Sequence, residues 1–187
     1  NINNNPSISQ NPVIEQSPTD IMPLSEKRNT KSVFYIGTMG KSLHDEDETF
    51  GEYYRGLNLA YQVNASEHIA IYTAVNFGNR STVTIGGTEY DSEPFGEVSY
   101  HSFELDALLS SNNYKGWQFY TGLGLFTEKF SPSIGDSDSF NGSNFILGMG
   151  YSWQTLQVQI RTAINNSSDY NDEHSHSLTN LQLGFNF

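Results

Sequence analysis

The chain has no cysteine among its 187 residues. That excludes disulfides, thiolate metal sites, cysteine nucleophiles and the lipidated cysteine of a lipoprotein. Charge is scarce and one-sided. Charged residues make up 16 %, with 9 basic against 21 acidic, for a formal net charge of -12. An average soluble domain carries roughly 25 % charged residues. So acidic a chain repels phosphate backbones, which excludes nucleic acid as a partner. No apolar run reaches the roughly 18 residues that mark a transmembrane helix. The first residues, Asn1-Ile2-Asn3-Asn4-Asn5, have neither the basic nor the apolar region of a signal peptide. A cytosolic chain or a mature form after cleavage fits that start.

What is present suits strands and turns. Aromatic residues reach 13 %, with 12 Phe, 11 Tyr and 16 Gly. Residues 1–30 stand apart, with Pro6, Pro12, Pro18 and Pro23 among Asn, Ser and Gln and no sustained period. They read as a disordered or extended segment. From Lys31 the period is two, the mark of a strand. Leu57, Leu59 and Tyr61 alternate with Asn58, Ala60 and Gln62, and Ile69, Ile71, Thr73, Val75 and Phe77 with Ala70, Tyr72, Ala74 and Asn76. The same alternation returns over 102–109, 117–125, 144–153, 156–164 and 180–187. The first strand, 32–43, is ambiguous, because Val33, Tyr35 and Met39 compete with Phe34 and Ile36 for the apolar face. About eight strands result, each near the roughly 9–11 residues that cross a bilayer at a tilt. Links near 64–67, 111–115 and 153–155 are short, and those at 44–51, 78–97, 128–143 and 165–177 are long. Short turns at one end and long loops at the other fit an outer-membrane barrel, whose even strand count puts both termini in the periplasm. The mean hydropathy of -0.50 does not oppose this, since alternation hides a lipid-facing side.

Alternation alone does not say which face meets solvent, and a soluble barrel would turn the apolar face inward around a ligand. Three features favour the membrane. One face is aliphatic and aromatic in strand after strand, while the other is Gly, Asn, Gln, Ser and Tyr. Trp117, Tyr61, Trp153, Tyr151 and Phe187 fall near the short-turn ends, as an interfacial belt would. The last seven residues place Leu181, Leu183, Phe185 and Phe187 on one face. That ending resembles the C-terminal signal read by the outer-membrane assembly machinery. Residues 31–187 as a whole resemble the small outer-membrane barrels of the OmpA transmembrane-domain and OmpX/Ail type. The resemblance implies an all-β, eight-stranded, antiparallel up-and-down barrel in a bacterial outer membrane. It implies lipids and lipopolysaccharide around the barrel, and the assembly machinery as a partner during insertion.

So narrow a barrel is just wide enough for side chains to fill. Glu104, Asp106 and Arg161 should point inward at similar depth and form an ion-pair network, helped by Gln118, Tyr120, Gln159, Asn144 and Gln182. A plugged lumen is the expectation, and a trickle of water or ions the alternative. Two acidic loops, with His44, Asp45 and Glu46 in one and Asp172, Glu173, His174 and His176 in the other, should be neighbours once the last strand pairs with the first. They could hold Ca²⁺ or another divalent cation, or be a solvated, repulsive surface; no EF-hand spacing is present. Ser175 and Ser177 beside these histidines raise the chemistry of a lipid-modifying enzyme, but crowd one flexible acidic loop. Arg55, Arg80 and Lys129 are candidates for lipopolysaccharide phosphates or plain interfacial anchors, and His101 for a belt residue. Residues 82–90, turning at Gly86-Gly87, read as a hairpin outside the membrane.

No catalytic residue and no bound cofactor is expected. The expected function is a non-enzymatic structural or interaction protein, acting through its loops or by docking of residues 1–30 on a partner. A narrow channel and a lipid A-modifying enzyme are the alternatives.

Overall fold

Period-two alternation with opposite chemistry on the two faces requires a sheet with two different surroundings, and closing the sheet on itself supplies them. The computed structural model describes residues 32–45, 47, 49–168 and 174–187. Its strands are β1 (Ser32–Asp45), β2 (Phe50–Asn64), β3 (Ile69–Ile85), β4 (Thr88–Asp91), β5 (Val98–Ser110), β6 (Gly116–Pro132), β7 (Asp138–Ser152), β8 (Leu156–Asn166) and β9 (His174–Asn186). Every pairing is antiparallel between chain neighbours, except that β3 pairs with both β4 and β5. β1 closes the ring on β9, from Val33 opposite Asn186 to Asp45 opposite His174. The result is a closed eight-stranded antiparallel barrel, with β4 standing beyond it.

Closure settles the ambiguous first strand. Val33, Tyr35, Met39 and Lys41 are buried in the lumen, while Phe34 and Ile36 face outward. Lys41 is the deciding residue, because an ammonium group on the lipid-facing side would be costly. Elsewhere the outer face is a continuous apolar band. Leu57, Leu123, Leu125, Phe119, Leu147 and Leu181 are each more than half exposed. A water-soluble monomer rarely shows an apolar patch beyond a few hundred Å². This band encircles the barrel, so the solvent of the outer face is lipid. At the tight-turn end, Tyr151 packs on Trp117 and Trp153, with ring centroids 5.4 and 4.7 Å away. These half-exposed rings suit a membrane–water boundary.

The strands run longer than the bilayer requires, from 11 residues in β8 to 17 in β3 and β6. Much of what the sequence assigned to long loops is therefore paired strand. Glu128, placed there at a loop edge, lies inside β6 opposite Ser102 and Phe140. Ladder hydrogen bonds need no lipid, so polar segments such as Asn79–Thr84 go on pairing beyond the apolar band. At that end β3 and β4 form the expected hairpin, with Gly86 and Gly87 at φ of 59° and 74°. Two consecutive positive φ values are the demand of a type I′ turn, which glycine meets without strain. Below the hairpin, the pairing of β2 with β3 shifts at Tyr53/Tyr54, and Ser81 is the extra residue. This bulge leaves Arg80 opposite Tyr54 and Val83 opposite Glu52, both inward-facing positions.

Candidate functional site: a filled lumen beneath an aromatic cup

The inward residues form layers along the barrel axis. Nearest the tight turns, Gln157 donates to Gln118 at 2.6 Å and Gln62 to Asn64 at 2.6 Å. Above them Gln159 donates to Gln182 at 2.5 Å, and Gln182 donates in turn to Asn58 and to the Tyr72 hydroxyl. The third layer is ionic. Arg161 lies 2.7 Å from Glu104 and pairs with Asp106 as well, with all three side chains at most 1 % exposed. Asn76 donates to Glu104 at 2.8 Å and Asn144 at 3.4 Å. The Arg161 guanidinium sits over the Tyr72 ring at 4.6 Å. Gly124 makes room here, since a Cβ at that position would strike the Asp106 carboxylate and the Asn144 amide.

The structure thus brings Glu104, Asp106 and Arg161 together. Gln118, Gln159, Gln182 and Asn144 lie in or beside the same chain of contacts, whereas the Tyr120 hydroxyl donates to the Ile160 carbonyl at 3.3 Å. A second buried ion pair escaped the sequence reading. Lys41 and Glu128 meet at 2.7 Å, both fully buried, and Tyr100 and Asn165 also donate to Glu128. The signal was present: Lys41 is in phase with Tyr35 and Met39, and Glu128 with Tyr120 and Phe126. It was hidden by ending the strands at the bilayer boundary.

Above Glu128 the lumen opens into a cup of about 330 Å³ at the hairpin end. Its aromatic wall is Tyr54, Phe130 and Phe140, with Tyr54–Phe130 and Phe130–Phe140 centroid distances of 5.2 and 6.0 Å. Its polar edge is Glu52, Asp138 and His176. Glu52 accepts from Tyr54 at 2.6 Å and is ion-paired with Arg80. Arg80 also donates to the Phe95 and Gly96 carbonyls at 2.8 Å each. The expectation that Arg80 reaches lipid phosphates is therefore corrected. The Ser81 bulge turns it inward, and its donors are committed to Glu52 and the loop.

Arg55 and Lys129 do face outward and are exposed, with Arg55 over the Tyr53 ring at 5.3 Å. His101 is outward too, edge-on to Phe77 at 5.6 Å. The residues considered for a divalent cation are dispersed where they are described. His44 lies over Gly51 on the outer side, and Asp45 accepts from Thr49 and the Phe50 backbone in the β1–β2 turn. His176 points into the lumen, its Nδ1 3.6 Å from Glu128. Glu46, Asp172 and Glu173 lie outside the described residues, and His174 is placed only as a strand position opposite Asp45. Among the described residues no group of three or more His, Asp or Glu converges on a metal position. The Ser175 and Ser177 positions flank His176 along β9. Ser177 is only partly buried and His176 turns into the lumen, so the two do not share a face. Leu181, Leu183 and Phe185 sit on the outer face of β9, and Phe187 follows the strand, fully in contact with the surroundings.

No protein-family model matches the chain. No curated protein matches it in sequence. Solved structures do match its shape. The attachment invasion locus protein Ail of Yersinia pestis aligns with a TM-score of 0.55 at 16 % identity, covering 84 % of this chain and 99 % of that one. The outer-membrane protein OprG of Pseudomonas aeruginosa gives 0.58 at 12 %, covering 84 % and 97 %. Neisserial surface protein A gives 0.58 at 11 %, covering 83 % and 95 %. At such identities the likeness is one of fold. This chain has the fold of the small eight-stranded outer-membrane β-barrels, which agrees with its lipid-facing band.

Proposed function

We propose that the chain is a bacterial outer-membrane barrel that works by contact at its hairpin end, as a surface interaction module, and neither conducts solutes nor catalyses a reaction. The filled lumen carries this reading. Arg161, Tyr72, Tyr35, Lys41 and a series of glutamines occupy the cross-section at 0–2 % exposure. Chemistry open to a ligand is left to the cup and the hairpins around it. In this reading the tight-turn end, where β1 begins and β9 ends, faces the periplasm, and the hairpin end faces outward.

The remaining partners follow from the same orientation. Lipids and lipopolysaccharide surround the apolar band, with Arg55 and Lys129 as anchors for phosphate groups. The assembly machinery reads Leu181, Leu183, Phe185 and Phe187. Residues 1–30 act as a periplasmic strap on a protein partner. The acidic loops carrying His44, Asp45, Glu46, Asp172, Glu173, His174 and His176 bind Ca²⁺ or another divalent cation only loosely, as a diffuse surface.

Ail supports a surface role by its description as an attachment protein, and it has been solved with the heparin analogue sucrose octasulfate. A polyanion does not suit this chain. Its hairpin end exposes Asp47, Glu89, Asp91, Glu97, Asp136 and Asp138, while Arg80 is already paired. The partner surface is therefore basic or cationic. The test is adherence of Gram-negative cells displaying the whole chain to surfaces coated with basic or acidic proteins. Adherence to the basic coatings, lost when residues 82–91 are replaced by a short turn, is the expected result. Equal adherence to acidic coatings, or full adherence without the hairpin, would overturn the reading.

A further inference from the structure

The cup at the hairpin end has the composition of a receptor for an organic cation. Three aromatic side chains, Tyr54, Phe130 and Phe140, line one continuous wall. Tyr54 gives its hydroxyl proton to Glu52, so its polar tip is engaged at the rim. Ring faces carry negative potential and attract cations, most strongly where water is partly excluded. The carboxylates at the edge differ in state. Glu52 is neutralised by Arg80, and Glu128 beneath the floor by Lys41. Asp138 lines the cup, is exposed, and forms no ion pair among the described residues. The cup therefore has one uncompensated negative charge against an aromatic wall. Around it the exposed acids Glu97, Asp136 and Asp91 add a field of the same sign, which raises the local concentration of cations.

We infer that this cup binds a small organic ammonium ion with an apolar body, its nitrogen at Asp138 and its apolar part against Phe130 and Phe140. The volume of about 330 Å³ lies at the lower end of small-molecule sites, which run from roughly 300 to 1,000 Å³. A neutral aromatic would gain the ring contacts but not the charge. An anion would meet Asp138 and the acidic rim. The inference rests on the reading above only in taking this end to face the cell exterior, and binding itself is measurable without knowing the side.

The test uses the whole chain in lipid nanodiscs, with ring-labelled phenylalanine followed by NMR. Three probes of similar size are titrated: 2-phenylethylammonium, 2-phenylethanol and phenylacetate. The expected result is saturable binding of the ammonium ion that shifts the Phe130 and Phe140 signals, weakening as salt is raised. The alcohol should bind roughly three- to fivefold more weakly, the scale of an exposed charge contact, and phenylacetate should not saturate. Asp138→Asn should bring the ammonium ion down to the level of the alcohol. Phe140→Leu keeps the apolar volume but loses the ring face, and should weaken the cation more than the alcohol. Either variant is scored only if it retains the far-UV strand spectrum and the nanodisc mobility of the parent; should Asp138→Asn not fold, the salt dependence and the three-probe series decide. Equal affinity for ammonium ion and alcohol, tighter binding of phenylacetate, no saturation by any probe, or shifts confined to rings outside the cup would each overturn the proposal. Binding with no adherence in the cell assay would leave the cup standing and sink the surface-module reading instead.

Discussion

Replacing Arg161 by Met is the sharpest perturbation of the lumen. It removes the one cation between Glu104 and Asp106 and keeps the length of the side chain over Tyr72. The two carboxylates do not suffer equally. Glu104 retains the Asn76 amide at 2.8 Å and the Asn144 amide at 3.4 Å. Asp106 is held at Oδ2 by Arg161. Stripping one partner from a buried pair costs about 3–5 kcal/mol. An independent ceiling comes from neutralisation. Protonating a carboxyl group of ordinary pKa near 4 at pH 7 costs about 4 kcal/mol, at about 1.4 kcal/mol per unit. The two figures agree, so Arg161→Met should lose about 4 kcal/mol. The double variant Arg161→Met/Asp106→Asn removes the stranded charge and should recover most of that loss. The assay is reversible urea unfolding from lipid vesicles, read by the fluorescence of Trp117 and Trp153 in both directions. A loss under about 1 kcal/mol in the single variant, or a double variant less stable than the single, would refute the reasoning.

Other outcomes follow from the same geometry. Lys41→Met should cost somewhat less, toward the lower end of about 3–5 kcal/mol, because Tyr100 and Asn165 still donate to Glu128; the same unfolding assay reads it. Gly124→Ala should destabilise by about 1–3 kcal/mol through the clash of its new Cβ with Asp106 and Asn144, visible as a shifted urea midpoint. Removing residues 1–30 should leave the unfolding curve of the barrel unchanged and release a co-purifying protein, checked by mild-detergent extraction and sizing; persistent co-elution would count against the strap.

The barrel was legible in the sequence because its two faces meet chemically opposite surroundings over most of every strand. Leu181, Leu183 and Phe185 against Gln182 and Gly184 need no third dimension to be assigned. The inward meeting of Glu104, Asp106 and Arg161 was legible for the same reason, since phase alone sends them into a lumen too narrow to keep them apart. Lys41 and Glu128 were missed because their strands were cut at the length of a bilayer, where alternation of polar residues looks like loop. Arg80 was misread for a different cause. A one-residue bulge at Ser81 reverses the facing of everything after it, and nothing in Asn79-Arg80-Ser81-Thr82 marks which residue is extra. The cup of Tyr54, Phe130 and Phe140 depends on which strands become neighbours across the lumen, information that no single strand contains.

Planar-bilayer recording of the purified chain, across salt concentrations, tests the central claim that this is a barrel filled by its own side chains. The account predicts no steady open level for the parent. Arg161→Met/Asp106→Asn should also stay silent, because the glutamine and Lys41–Glu128 layers remain on either side. A steady conductance from the parent protein, reproducible between preparations and altered by substitutions at Arg161 or Lys41, would contradict the filled lumen and make the chain a channel.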